Sequence, residues 1–244
     1  MFGKLTLSAA LFGLSVGAAS AATYVYDFKK EANASGQIGE SIFSSFETSG
    51  MGVFAGPNLS VTGSKGGSSA FVYFDNGNAG MGVCGAAFKD SAKKLAETGT
   101  YKVGDYNPGS GANLCNPSSD DGLTTTDEAL HFKATAKSVL IKSFYINSNH
   151  DGPAGVESSI WNIGGTLYDV AALGLTRDAK GDVKIDVNFK LKVGETLDLF
   201  GTKGANSYIS AIALEPVPVP AAGLLLLGGI GALGAMRAKK KKAA

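Results

Sequence analysis

Between Asp182 and Val193 the chain reads DVKIDVNFKLKV, with an apolar residue at every second position. Val183, Ile185, Val187, Phe189, Leu191 and Val193 alternate with Asp182, Lys184, Asp186, Asn188, Lys190 and Lys192. Successive side chains of an extended strand point to opposite faces, so this pattern sets one face on a core and the other in water. Strands usually run about 5 to 6 residues, so a stretch of this length predicts a bent or bulged strand.

Shorter apolar runs repeat the message: TYVYDF, SIFSSFE, LSVTG, SAFVYF, EALHFKA, SVLIKSFYI, SSIWNI, TLYDV, TLDLF and YISAIAL. They are separated by GPN, DNGN, NHDGPAG, RDAKGD and KGANS, which are turn compositions. The 34 glycines suit such a loop-rich chain. The expected fold is all-β, an antiparallel β-sandwich of jelly-roll-like type with around ten strands. One short helix is expected at Asp90–Glu97, where Asp90 or Ser91 caps AKKLAE. TGSKGGSS (Thr62–Ser69) lacks the order of a phosphate-binding loop and reads as a hairpin loop.

The two ends read differently. Lys4, the apolar run Leu5–Ala18 and the small residues Ala19, Ser20 and Ala21 have the layout of a secretory signal peptide, so the mature chain is expected to start near Ala22. The segment from Pro220 to Met236 is uncharged and rich in Leu, Gly and Ala. Its helical reach is about 25 Å, near the lower limit for crossing a bilayer. Arg237, Lys239, Lys240, Lys241 and Lys242 follow directly. The positive-inside bias keeps them cytoplasmic and the bulk of the protein outside. The expected organisation is a signal peptide over 1–21, an extracellular domain over 22–214 and a sorting segment over 215–244.

The proline motif Val217, Pro218, Val219, Pro220 and Ala221, followed by an apolar helix and a basic end, resembles the C-terminal sorting signals of the PEP-CTERM class. It is most similar to the variant whose consensus reads VPLPA, with Val219 where leucine is usual. GMGVCG, LCNPSSDDGLTTTDEALHF, SFYINSNHDG and YISAIALEPVPVPA resemble successive blocks of such secreted proteins, over most of Met81 to the end. Gly122 stands where Asn is usual, and Asp127 where Gly often precedes Glu128. The resemblance implies a Gram-negative source, passage through the secretion translocon and processing near the proline motif by a membrane-embedded exosortase-type enzyme. It implies no reaction for the ectodomain.

Setting aside Lys4 and the five tail cations leaves 16 basic against 21 acidic residues, a net charge of −5. A mildly acidic domain argues against nucleic acid as a partner. In an exported chain the two cysteines, Cys84 and Cys115, read as one disulfide.

The carboxylates Asp120, Asp121, Asp127 and Glu128 concentrate near one loop. Calcium takes 6 to 8 oxygen ligands, so Asp120, Asp121 and Glu128 form a candidate calcium set, although the spacing is not that of an EF-hand; an Asx-type turn is the plainer reading. Alternation puts Glu128 on the core side with Leu130 and Phe132, where it needs a cation, backbone donor or metal, and turns His131 outward. His150 and Asp151 share a turn-rich loop, but no nucleophile motif accompanies them, and the exported domain has neither a G-x-S-x-G elbow nor H-E-x-x-H. Trp161, Tyr168 and the other tyrosines offer either a sugar-stacking platform or, more plainly, core.

The expectation is a non-enzymatic surface or matrix protein, structural or adhesive, associated with exopolysaccharide. A calcium-dependent carbohydrate-binding module is the first alternative. The second is a secreted glycoside hydrolase using Glu128 with Asp121.

Overall fold

The computed structural model describes residues 22–33, 41–48, 59–75, 77–85, 100–102, 115, 122–123, 127–148, 155–203 and 207–217. All of them belong to one compact unit, Ala22–Val217; residues 1–21 and 218–244 lie outside the described residues. No helix among the described residues is long and apolar enough to cross a membrane.

The fold is all-β and mostly antiparallel. The strands are β1 (Tyr24–Asp27), β2 (Ser41–Phe43), β3 (Ser45–Glu47), β4 (Leu59–Lys65), β5 (Ser68–Asp75), β6 (Gly80–Cys84), β7 (Thr100–Lys102), β8 (Glu128–Ala134), β9 (Val139–Asn147), β10 (Ile160–Ile163), β11 (Thr166–Asp169), β12 (Val183–Leu191), β13 (Thr196–Lys203) and β14 (Tyr208–Pro216). They join in the order β11-β10-β13-β8-β4-β5-β6-β14-β9-β12, with β1 on β14, β2 on β5, and β3 between β4 and β7. The pairing of β3 with β7 is parallel. The helix among the described residues is α1 (Phe28–Asn33), with a single 3-10 turn at Val156–Ser158.

The sheet doubles back at β5. Its first residues, Ser68–Ala70, pair with β4, whereas Phe71–Asp75 pair with β6. Gly63 on β4 makes this crossing possible: a Cβ there would sit 3.0 Å from the carbonyl oxygen of Phe71 and 3.2 Å from that of Ala70. A glycine inside a strand marks this kind of close backbone approach. The fold-over brings β8 and β9, consecutive in sequence but unpaired, face to face, with the Phe132 and Phe144 rings 5.1 Å apart.

Each run read as a strand contributes at least one. The alternating segment is β12, whose register against β9 shifts between Asp186 and Phe189, so the expected bulge is present. Val183, Ile185 and Leu191 are buried, and Val187 and Phe189 pack against the core from partly buried positions. Alternation fails at its two ends. The strand stops at Leu191, leaving Val193 exposed on the following turn, and Asp182, expected in water, is buried. The hairpin over Thr62–Ser69 turns at Gly66 and Gly67, both at positive φ.

Two elements differ from the expectation, and a third is untested. SIFSSFE splits into β2 and β3, which join different neighbours. Phe28 opens α1 rather than ending β1; the Asp27 carboxylate accepts the Lys30 N–H at 2.8 Å and starts the turn. The helix expected at Asp90–Glu97 lies outside the described residues.

One large core fills the fold, including Phe28, Phe46, Phe74, Phe132, Phe144 and Trp161. Phe46 and Phe74 approach to 4.9 Å between ring centroids, and Phe28 meets both edge-on. A smaller cluster of Ile42, Tyr73, Cys84 and Cys115, with Phe71 against it, covers the opposite face of β5. Cys84 and Cys115 are joined as a disulfide, with Cα atoms 5.7 Å apart and a sequence separation of 31. A loop of that length removes about 3 to 4 kcal/mol of unfolded-chain entropy. Replacing both cysteines by serine is expected to cost that amount in urea unfolding; an unchanged midpoint would mean the bridge adds nothing to stability.

Candidate functional site

The expected calcium residues are reached only in part. Asp120 and Asp121 lie outside the described residues, whereas Glu128 opens β8 and is fully buried. The inward carboxylate has a cation: Lys65 Nζ, from the register-matched residue of β4, stands 2.9 Å from Glu128 Oε1. Beside it the Gly66 N–H donates to the Asp127 carbonyl at 2.9 Å, tying the β4–β5 tip to the end of the acidic loop. Among the described residues no group of three or more His, Cys, Asp and Glu is arranged to hold a metal.

Of the sorting motif only Val217 is described; Pro218, Val219, Pro220 and Ala221, and the cations Arg237, Lys239, Lys240, Lys241 and Lys242, lie outside the described residues. His150 and Asp151 do too, but the residues on either side of their loop are tied together. Arg177 donates from Nη2 to Ser148 Oγ at 3.0 Å and to Glu157 Oε2 at 3.0 Å, and its Nε donates to Glu157 Oε1. That guanidinium holds the Glu157 carboxyl below its ordinary range.

A buried polar knot lies among α1, the turn before β6, the end of β9 and the segment before β12. Lys29 Nζ donates to both carboxylate oxygens of Asp182 at 2.8 Å and to the Lys180 carbonyl at 3.3 Å. Asn147 Nδ2 donates to Asp182 Oδ1 at 3.3 Å and to the carbonyls of Asn78 and Ala79 at 3.0 and 2.8 Å. Asp178 Oδ1 accepts the Lys180 and Asp182 N–H groups at 2.7 and 3.0 Å, and these bonds lower its pKa. With the Lys29 ammonium paired to the Asp182 carboxylate inside the fold, the knot is a structural clasp.

The aromatic residues divide between core and its margin. Trp161 is fully buried, with its indole N–H donated to Ser159 Oγ at 2.7 Å, which removes it from any sugar-stacking surface. Tyr168 packs against the core from a partly buried position, and burial raises its hydroxyl pKa.

The arrangement with the most chemical potential lies on the outer face of β4, β8 and β13, and no local motif announces it. His131 points outward, as alternation predicts, and its ring is engaged on both sides. Nδ1 lies 2.7 Å from Asp198 Oδ1 on β13, and Nε2 lies 2.8 Å from Ser64 Oγ on β4. Asp198 opposes His131 directly in register, and Ser64 sits one diagonal step away, opposite Ala129. A carboxylate accepts only, so Nδ1 carries a proton, and in the neutral imidazole Nε2 accepts from the serine hydroxyl.

Comparison of the chain with protein-family models, with curated proteins and with solved structures returned no match.

Proposed function

We propose that this chain is an exported structural or adhesive domain of a Gram-negative cell surface or its matrix, whose role is set by where its ends place it. The domain is a jelly-roll-like β-sandwich. Residues 1–21 direct it to the secretion translocon, and residues 220–236 hold it in the membrane with Arg237 and Lys239–Lys242 on the cytoplasmic side. An exosortase-type enzyme then cuts or transfers it near Val217–Ala221, leaving the domain in contact with exopolysaccharide.

The observation that carries this reading is the Cys84–Cys115 bridge, because disulfides form and persist in oxidising, extracytoplasmic compartments. The strand ends support it. β1 and β14 are antiparallel neighbours with Tyr24 opposite Leu214, so the first and last strands of the domain lie side by side with their outer ends together. Within the domain, the β4–β5 tip lies at the Glu128 end of the β8 ladder and Pro216 pairs with Val139, which follows the Ala134 end.

Intact masses, measured without reduction on native membrane and culture-medium fractions, test the proposal. The expected species starts near Ala22, ends near the proline motif and weighs two hydrogens less than the dithiol. A membrane form retaining Lys239–Lys242 as the only species would make the tail a permanent anchor and end the sorting part of the proposal. Free thiols on Cys84 and Cys115 would end the export part.

A further inference from the structure

We infer that Ser64, His131 and Asp198 form a nucleophilic site that acts on carboxylic esters reaching the outer sheet face from solvent. Nucleophile, base and orienting carboxylate stand in the hydrogen-bonded order that acyl-transfer chemistry requires: Ser64 Oγ to His131 Nε2 at 2.8 Å, and His131 Nδ1 to Asp198 Oδ1 at 2.7 Å. Such a constellation is recognised by geometry and roles, not by local sequence. The three residues come from three adjacent strands, whose ladders fix their spacing more firmly than loops would.

The chemistry balances without a cofactor. Ser64 Oγ attacks the ester carbonyl as its proton passes to His131 Nε2. The C–O bond to the alcohol then breaks, and the leaving oxygen takes that proton. Water attacks the acyl-serine, passing its own proton through Nε2 to the departing Ser64 oxygen, and the carboxylic acid is released. Asp198 holds the ring in the required tautomer and offsets the charge of the imidazolium.

Exposure sets the scale and the substrate class. The Asp198 side chain is 56% exposed and that of His131 28%, so water screens the pair and the gain is smaller than in a buried triad. Ser64 stands in register with Ala129 on one side and Ser69 on the other, which commits its backbone to two ladders rather than to an oxyanion. The site therefore favours esters with good leaving groups or short acyl chains, including esters borne by a polymer too large to enter a cavity. The groups facing the imidazole are Ser64 and Thr62 from β4 and Asp198 from β13, with Lys133 next along β8.

The test uses the full chain in detergent, with a fluorophosphonate and p-nitrophenyl acetate as probes. The fluorophosphonate is expected to add one phosphonyl group at Ser64, the Ser–O–P bond forming as fluoride leaves. Ser64→Ala should take no label and lose the release of p-nitrophenol. Because Asp198 is exposed, Asp198→Asn leaves the fold intact. It should slow labelling about 10- to 100-fold, less than the roughly 10⁴-fold of a buried triad, and shift the pH profile of the rate. Labelling elsewhere than Ser64, equal labelling of urea-unfolded chain, an Asp198→Asn rate equal to wild type, or no label at all would overturn the assignment.

Discussion

Lys29→Ala is expected to cost about 3 to 5 kcal/mol, since it leaves a buried carboxylate without its cation. The Lys29 and Asp182 side chains are only 11% and 5% exposed, and the ammonium meets both carboxylate oxygens at 2.8 Å. The residues are 153 positions apart, so the bond ties α1 to the entry of β12. Asn147 would still donate to Asp182 Oδ1, but a neutral amide does not offset a full charge. The measurement is the urea midpoint at constant slope with the disulfide intact. Lys29→Met combined with Asp182→Leu removes both charges and should recover most of the loss. The exposed neighbour change Lys30→Ala should stay within about 0.5 kcal/mol of wild type. A double variant as unstable as Lys29→Ala would show that packing of the lysine stem, rather than the stranded charge, sets the cost.

The second large effect is expected at Gly80→Ala, with a loss of at least about 3 kcal/mol. Gly80 opens β6 with φ at 123°, a backbone state that costs a side-chain-bearing residue about 1 to 3 kcal/mol. Space compounds the strain, because an added Cβ would lie 2.5 Å from the Ile209 carbonyl oxygen and 3.0 Å from Ser210 Cα. Both are backbone atoms of β14, which is buried from Tyr208 to Leu214 and cannot swing aside as a side-chain end would. Gly67→Ala is the matched control: φ there is 75° and no atom lies within 4 Å of the added methyl, so only about 1 to 2 kcal/mol of backbone strain applies. Equal midpoints for the two variants would show that the contact of β6 with β14 relaxes at little cost.

Legibility followed burial. β8, β12 and β13 each have one face on the core and one in solvent, and their alternation was readable. β6, written GMGVC, is buried at every position, with Met81 and Val83 in the main core and Cys84 in the smaller one. A strand covered on both faces has no polar half to alternate with, and two of its five residues are glycine. α1 has six residues, too few to display a helical period, and only Asp27 as an N-terminal cap marked it. Asp182 shows the opposite failure: its position in the alternation assigned it to water, but its partner arrives from α1.

The candidate sites divide in the same way. That Glu128 faces inward and needs a counter-charge followed from its place beside Leu130 and Phe132; that Lys65 answers it depends on the β4–β8 register. Ser64, His131 and Asp198 are spaced 67 and 67 residues apart and belong to no local motif. By itself the amino-acid order determined the all-β class, the hairpin at Gly66–Gly67 and the outward aim of His131, because each follows from backbone geometry within a few residues. Only the tertiary structure decided which strands lie side by side. That choice brought Lys29 to Asp182 and Ser64 to His131, because cross-strand neighbours are selected by ladder register and by the folding-over of the sheet at β5, neither of which has a local signature.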